Sequence, residues 1–475
     1  MISRVLSTEQ VDKVHDASLE ILDRVGVVVP HEELLARFAD AGATVDHENR
    51  HVRIPAELVE TSVAAAGKTF TLCGRDVSKR CEFGVGKRNY NSIAGEAHWV
   101  ENPGEERRFA TLADVAAATR LADALDGITM PGAMSDPHEI PVEYRCVEIA
   151  VTMLRNTTKP IHFWYHDRAS AAYLNELLIA VRGDETAATE MPLWYPFFEP
   201  ISPLRFPFHG IDLLFETAKL NLPVPIGPMA QMGLSAPGTV AGTLAQENAE
   251  ILAGVCITQL VQPGMPVCYG GICHAFDMRT TQMIFSGPEQ AIFGVAMTQM
   301  GKHYGLPVYI NVGLTDAKRP DAQSGLEAGV TLALGAAAGA DIFGHMGISG
   351  VDQASSLDML VWQNEIIRYV ESTLREIDFS KDAFGIDVIA EAGPGGTYID
   401  KMHTAEHFRR ELWFPQFLDR DYYQAWLNGG ALATEERVHR RKEELLASHE
   451  IETICDDTAR ELDRILASAR RNLAG

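Results

Sequence analysis

The sequence predicts an α/β fold: a TIM (β/α)8 barrel with an N-terminal helical and β extension and C-terminal helices. Three observations lead there. Short, continuously apolar runs recur along the middle of the chain, as buried parallel strands do. Helix-length segments separate them. No GxGxxG or GxxxxGKS/T turn occurs, although an open doubly wound sheet would usually carry one after its first strand.

Taken in order, 8–25 has apolar residues at Val11, Val14, Leu19, Leu22 and Val25, with Ser7 or Thr8 as N-cap, and reads as a helix. A second short helix covers 31–41, short strands and turns cover 70–95, and a helix runs from Thr111 to Leu125. The strand candidates are 127–133 (GITMPGA), 160–165 (PIHFWY), 193–199 (LWYPFFE), 223–229 (PVPIGPM), 266–272 (PVCYGGI), 307–313 (PVYINVG) and 340–346 (ADIFGHM). Helices are expected between them at 140–155, 173–182, 211–220, 239–261, 288–304 and 321–338. That gives seven β/α units over about 270 residues, with an eighth strand at 386–390 or near 90–94. The expected organisation is an extension over 1–110, the barrel over 111–400 and a helical region over 401–475. The charged tail from 434 to 473 reads as a surface helical pair or an oligomer contact, and a homo-oligomer is expected.

Of 475 residues, 46% are hydrophobic, enough to bury a sizeable core. The formal charge of −24 excludes a basic face for nucleic acid and a polybasic membrane surface. The N-terminus has no long apolar stretch and does not read as a signal peptide; 329–340 is too short to span a bilayer. Seven cysteines without a CxxC pair suggest no disulfide framework, and the expected compartment is the cytoplasm. Cys268, Cys273 and His274 form the most metal-like spacing, but two buried thiols near a strand end explain it more simply. His403 and His407 share a helix face if their segment is helical, and read as cap or surface histidines. No resident metal is expected. There is no GxSxG elbow, and Gly393-Pro394-Gly395-Gly396 reads as a tight turn.

In a barrel, functional residues sit at the C-terminal ends of strands. Those ends carry Trp164, Tyr165 and His166; Trp194, Tyr195, Phe197, Phe198 and Glu199; Tyr269, Cys273 and His274; Tyr309, Asn311 and Asp316; and Phe343 and His345. Aromatics are 8% of the chain, yet they gather at one level. Their faces attract a cation, and a quaternary ammonium suits such a cage because it has no N–H to satisfy. The alternative is that the rings simply fill the barrel.

Several motifs occur in a fixed order: Ser202-Pro203-Leu204, the run AGTLAQENAE over 241–250, and TQLVQPGMP over 258–266. They continue with Asp316-Ala317-Lys318, Asp321-Ala322-Gln323, Gly393-Pro394-Gly395-Gly396, His403-Thr404, and Asp419-Arg420 before Trp426. Across about residues 5–450 this set resembles the trimethylamine methyltransferase family of corrinoid-dependent enzymes. The resemblance implies a TIM barrel that moves a methyl group from an amine to the cobalt of a partner corrinoid protein. The trimethylamine branch carries pyrrolysine. This chain has only standard residues, and 343–347 occupies the equivalent region, with His345 or Met346 in that place. The chain is therefore similar to the non-pyrrolysine branch, which demethylates quaternary amines such as glycine betaine.

These readings make His345 the catalytic candidate. The substrate-binding candidates are Asn91, Trp164, Tyr195, Phe197, Glu199, Tyr269, Tyr309, Asn311, Gln323 and Phe343. Asn91, Gln323, His345 or a loop arginine would hold a substrate carboxylate. The corrinoid is expected on the partner, with no tightly bound cofactor in this chain. Three alternatives stand beside glycine betaine. They are another betaine or a tertiary methylamine as substrate, a non-catalytic betaine-binding barrel, and a metal-dependent lyase using Glu199, His274, Asp316 and His345.

Overall fold

The computed structural model describes residues 3–474. Its centre is a five-stranded parallel sheet in the order Asn89–Ser92, Ile342–Met346, Val308–Asn311, Val267–Gly271, Val224–Ile226. Four of these are expected strands. The fifth, Asn89–Ser92, is the N-terminal choice for the eighth strand; the other choice, 386–390, lies in the helix Ile386–Ala392. The expected 1–110 extension is thus hydrogen-bonded into the sheet, through Asn89 N to the Asp341 carbonyl at 2.9 Å.

The remaining expected strands, 127–133, 160–165 and 193–199, form only single bridges, Asn91 with Met130, Gly132 with His162 and Phe198 with Ile226. Proline contributes to this, although Pro225 is tolerated within the paired strand Val224–Ile226. Pro131, Pro160 and Pro196 lie within these runs and have no N–H to give a ladder. The bonds that do form are well made: Met130 N to Tyr90 O (3.1 Å), His162 N to Pro131 O (2.8 Å), Ile161 N to Leu193 O (3.1 Å) and Phe198 N to Pro225 O (2.9 Å). They lead from the Asn89–Ser92 edge to the Val224–Ile226 edge.

The helices Val142–Asn156, Arg168–Arg182, Phe208–Thr217, Val240–Val261, Pro288–His303 and Ala322–Ala338 fall in the expected gaps. Their starts are set locally. Asp167 caps Ser170 N at 2.8 Å, Asp321 caps Ser324 N at 3.0 Å, and Pro288 opens its helix where an N–H would be unpaired anyway. No helix among the described residues is long and apolar enough to cross a membrane.

Both ends of the chain pack on this layer. The helix Thr8–Arg24 lies on Val240–Val261, where Asn248 Nδ2 donates to Ser18 Oγ at 2.8 Å. The tail is two helices, Thr434–Ser448 and Asp456–Leu473. They dock through Lys442 on buried Asp358 (3.2 Å), His449 on Asp123 (2.8 Å) and Arg470 Nε on Glu148 (2.8 Å). Such partly buried charge-assisted bonds fix orientation more than they add stability.

Glu247 does the same for the strand ends. From inside Val240–Val261 its carboxylate accepts Ala230 N at 2.9 Å and Ile272 N at 2.8 Å, tying the segments that follow two adjacent strands. Glu247→Ala should leave two buried N–H groups unpaired, at about 1–3 kcal/mol each. Urea unfolding should show a loss of that order, with a smaller loss for Glu247→Gln, which keeps one acceptor. Equal stability of all three proteins would contradict the assignment.

Candidate functional site

Strand alternation decides which side chains share a face. Tyr195, Phe197, Cys268, Tyr309 and Ile342 pack together on the inner face with Met130, while Val267, Tyr269, Val308, Ile310 and Phe343 join the helix-facing core. In 160–165, His162 and Trp164 point inward, whereas Phe163 packs outward against Trp194 at 5.6 Å. The pairing of Ile342–Met346 with Asn89–Ser92 shifts register between Phe343 and Met346, and His345 joins the inner face there.

The result is a close layer of rings. His162 lies 5.5 Å from Tyr195, 5.7 Å from Trp164 and 6.1 Å from both Phe197 and His345, measured between centroids. Tyr309 lies 5.2 Å from Phe197 and 5.7 Å from His345. Trp164 meets His345 edge-on at 6.2 Å, and its Nε1 donates to the Gly95 carbonyl at 3.1 Å. Asn91 Nδ2 lies 2.9 Å from His162 Nδ1; with the amide as donor, the proton of the neutral imidazole sits on Nε2.

Within this layer Asn91 Oδ1, His162 Nε2, Tyr195 Oη, Tyr309 Oη, Asn311 Oδ1 and His345 Nε2 are buried without a hydrogen-bond partner. Unpaired buried polar groups are uncommon, and these six stand together on the inner face. Burial lowers the His162 pKa to about 3 and holds His345 well below its ordinary value, reinforced by His162 and His274. Burial also pushes the Tyr195 and Tyr309 phenols up. The layer is therefore uncharged.

Above it lies a cavity of about 750 Å3 lined by Trp164, Tyr165, Phe197, Glu199, Gly227 and Met229, among others, and by no lysine or arginine. Glu199 is exposed to the cavity, with protein packed closely around its other sides. Desolvation first, then the charge of Asp352, raises its pKa to about 7. Glu96 and Asp352 face each other nearby; burial and mutual repulsion raise Glu96, which holds the shared proton. Asp136, at the cavity wall, is paired with Arg145 at 2.8 Å. The 199–204 loop is anchored by Glu250, which accepts Ser202 Oγ at 2.6 Å and Leu204 N at 2.8 Å.

The structure thus brings together Asn91, Trp164, Tyr195, Phe197, Glu199, Tyr309, Asn311 and His345. Three expected residues lie elsewhere. Tyr269 points to the helices and donates to Asn248 Oδ1 at 2.7 Å. Phe343 stacks on Tyr90 at 5.1 Å on the same outer side. Gln323 is exposed at a helix start and donates to Glu327 at 2.9 Å. For the first two the reason is strand parity, since each neighbours an inward residue. The sequence reading missed His162, Glu96, Asp136 and Asp352. His162 was signalled by its i, i+2 relation to Trp164; the three acids come from loops with no periodic pattern.

Metal chemistry finds little here. Asp316 is used in accepting Phe285 N (2.9 Å) and Ser286 N (3.2 Å), and His274 stacks on Phe285 at 4.7 Å. Among the described residues, no three of Glu199, His274, Asp316 and His345 bring ligand atoms together; the single such triad is on the 381–411 segment. Cys268 and Cys273 are buried thiols whose pKa burial raises, as the simpler reading expects.

Fold and cavity together describe an α/β protein with a cavity at the strand ends, walled by aromatic rings and carboxylates over a layer of neutral histidines. The family model described as trimethylamine methyltransferase (MTTB) matches residues 2–474, and the chain belongs to that family. It is 29% identical over 447 residues to a glycine betaine methyltransferase of Desulfitobacterium hafniense (strain Y51), covering 94% of this chain and 92% of that one. It is 28% identical over 461 residues to a trimethylamine methyltransferase MttB of D. hafniense (strain DSM 10664 / DCB-2), covering 97% and 92%. In fold it is similar to the crystal structure of the Methanosarcina barkeri monomethylamine methyltransferase MtmB (TM-score 0.51, 11% identity), over 100% of this chain and 95% of that one.

Gly344 leaves no room beside this layer. A Cβ built there lies 2.0 Å from Tyr309 Oη and 2.7 Å from Asn91 Oδ1. Gly344→Ala should cost about 1–3 kcal/mol by overpacking, read as a lower Tm by calorimetry. Adding Tyr309→Phe, which removes the nearest atom, should recover part of the loss. An unchanged Tm in the single variant would show that the layer is looser than described.

Proposed function

We propose that this chain is a methyltransferase that moves a methyl group from a quaternary amine, glycine betaine foremost, to the Co(I) of a corrinoid protein. The reading includes a closed (β/α)8 ring. It is supported by the hydrogen bonds that join the segments around 130, 162 and 195 to both edges of the parallel sheet. One observation carries the functional reading: an aromatic and acidic cavity stands directly above a layer of uncharged, unpartnered polar groups. A betaine has the complementary polarity. Its ammonium fits between Trp164 and Phe197 near Glu199, at about 0.5–2 kcal/mol per ring contact. Its carboxylate turns inward, toward the layer that carries His162 Nε2 and the Tyr195 and Tyr309 hydroxyls.

The corrinoid is a second substrate in this scheme, and the cavity suits the amine alone. When docked, its Co(I) supplies a nucleophile that takes the methyl group while the amine leaves with the C–N electron pair. A quaternary nitrogen leaves as a neutral tertiary amine, so no proton has to be delivered. That agrees with His345, His162 and His274 being held neutral by burial. The protein's part is to orient one methyl toward the mouth and to keep water away. His345 packs against Trp164 and Tyr309 and fixes the inner wall on which the substrate rests.

A panel of betaines and methylamines, mixed with a Co(I) corrinoid protein, should give methylcobalt and dimethylglycine from glycine betaine. Trp164→Ala should raise KM severalfold with the fold intact. Methyl transfer from none of the quaternary amines would sink the reading. Glu199 adds a pH signature. Its pKa of about 7 means that the carboxylate ionises as pH rises through 7, and only then attracts the ammonium. Affinity for glycine betaine should therefore increase from pH 6 to pH 8, and Glu199→Gln should remove that increase. Titration calorimetry at both pH values reads it directly.

A further inference from the structure

The segment around 380–430 is held by little packing of its own. The helices Lys381–Phe384, Ile386–Ala392, Met402–Glu411 and Tyr423–Asn428 contain no buried residue. Helices this short, with no packed face, lack the tertiary contacts that normally offset the entropy of ordering them. Yet three side chains meet there. His403 and His407 lie one turn apart on Met402–Glu411, with ring centroids 4.2 Å apart. His407 Nε2 is 3.0 Å from Asp382 Oδ2, and His403 Nε2 is 2.9 Å from the Asp382 carbonyl oxygen. One possible ligand atom from each of the three residues lies within 4.8 Å of the others. Gly385, at φ 58°, turns the chain beneath the His403 ring and lets Asp382 approach it.

We propose that Asp382, His403 and His407 form a divalent-metal site, of Zn2+ type, that clamps the helix Met402–Glu411 to the turn before Gly385. Two imidazoles and one carboxylate suit Zn2+, Co2+ or Ni2+; Ca2+ and Mg2+ prefer oxygen ligands. Two imidazoles four residues apart on one helix face present both rings to one ion. Three protein ligands leave a fourth position for water. Binding through the two Nε2 atoms replaces the hydrogen bonds of His407 to the Asp382 carboxylate and of His403 to the Asp382 carbonyl with bonds to the ion, and each ring keeps its proton on Nδ1. A metal-bound imidazole presents Nδ1 as a donor, so Arg410, now 2.9 Å from His407 Nδ1, has to leave. Glu411 at 3.3 Å and Asp378 at 3.6 Å are in place to receive it. The site is separate from the aromatic cavity and does not rest on the reading of the substrate.

The test uses tag-free, metal-stripped full-length protein titrated with Co2+, followed by its visible absorption, and then with Zn2+ in competition. One equivalent per chain is expected. His403→Ala/His407→Ala should weaken it at least about tenfold, and Asp382→Asn should weaken it to a lesser degree. Zn2+ should also slow proteolytic cutting between residues 380 and 412 severalfold in the unaltered chain and not in the double variant. Binding that persists unchanged in the double variant, or no stoichiometric binding at all, overturns the site. Binding without any protection overturns the clamp.

Discussion

Desolvation of the inner histidines is the constraint on which the rest of the site depends. His162 and His345 are enclosed by Tyr195, Phe197, Tyr309 and Trp164, and in that setting a charged imidazole is too costly to keep. Neutral rings can stand 6.1 Å apart without repulsion. They offer a hydrogen bond to an anion without bringing a full positive charge beside the aromatic faces. In the proposed reading, the charge that a cationic amine meets is placed instead at the mouth, on Glu199. Separating the two functions along one axis gives the site its direction.

The middle of the fold was legible because buried parallel strands are continuous apolar runs. The runs beginning at 223, 266, 307 and 340 became paired strands, and the helices between them fell where expected. The runs at 127, 160 and 193 keep the position of strands with single bridges in place of a ladder, and each contains a proline that has no N–H to give. The candidate site was legible by residue type and blurred by parity. Listing every aromatic at a strand end included Tyr269 and Phe343, whose neighbours Cys268 and Ile342 face inward. Reading the alternation would have excluded those two and admitted His162. The acids Glu96, Asp136 and Asp352 meet only through loop geometry, which no local pattern encodes.

The motif that carried much of the family resemblance proves to be mechanical. In the run 241–250, Gln246, Glu247, Asn248 and Glu250 all face protein and tie strand ends, the 199–204 loop and the N-terminal helix to one long helix. In this chain these buried polar residues fix where the loops lie, and through them where the cavity opens. The −24 charge takes on a similar meaning. It argues against a basic face for nucleic acid, and at the cavity the acids Glu199 and Asp136 stand without a lysine or arginine in the lining.

The most direct test is a structure of the chain with glycine betaine bound. The account predicts the trimethylammonium group between Trp164 and Phe197 beside Glu199, with a methyl directed to the cavity mouth. A carboxylate oxygen should lie within about 3.2 Å of His162 Nε2 or the hydroxyl of Tyr195 or Tyr309. A ligand bound in the opposite sense, with its carboxylate at the mouth, or bound outside the ring layer, would contradict it.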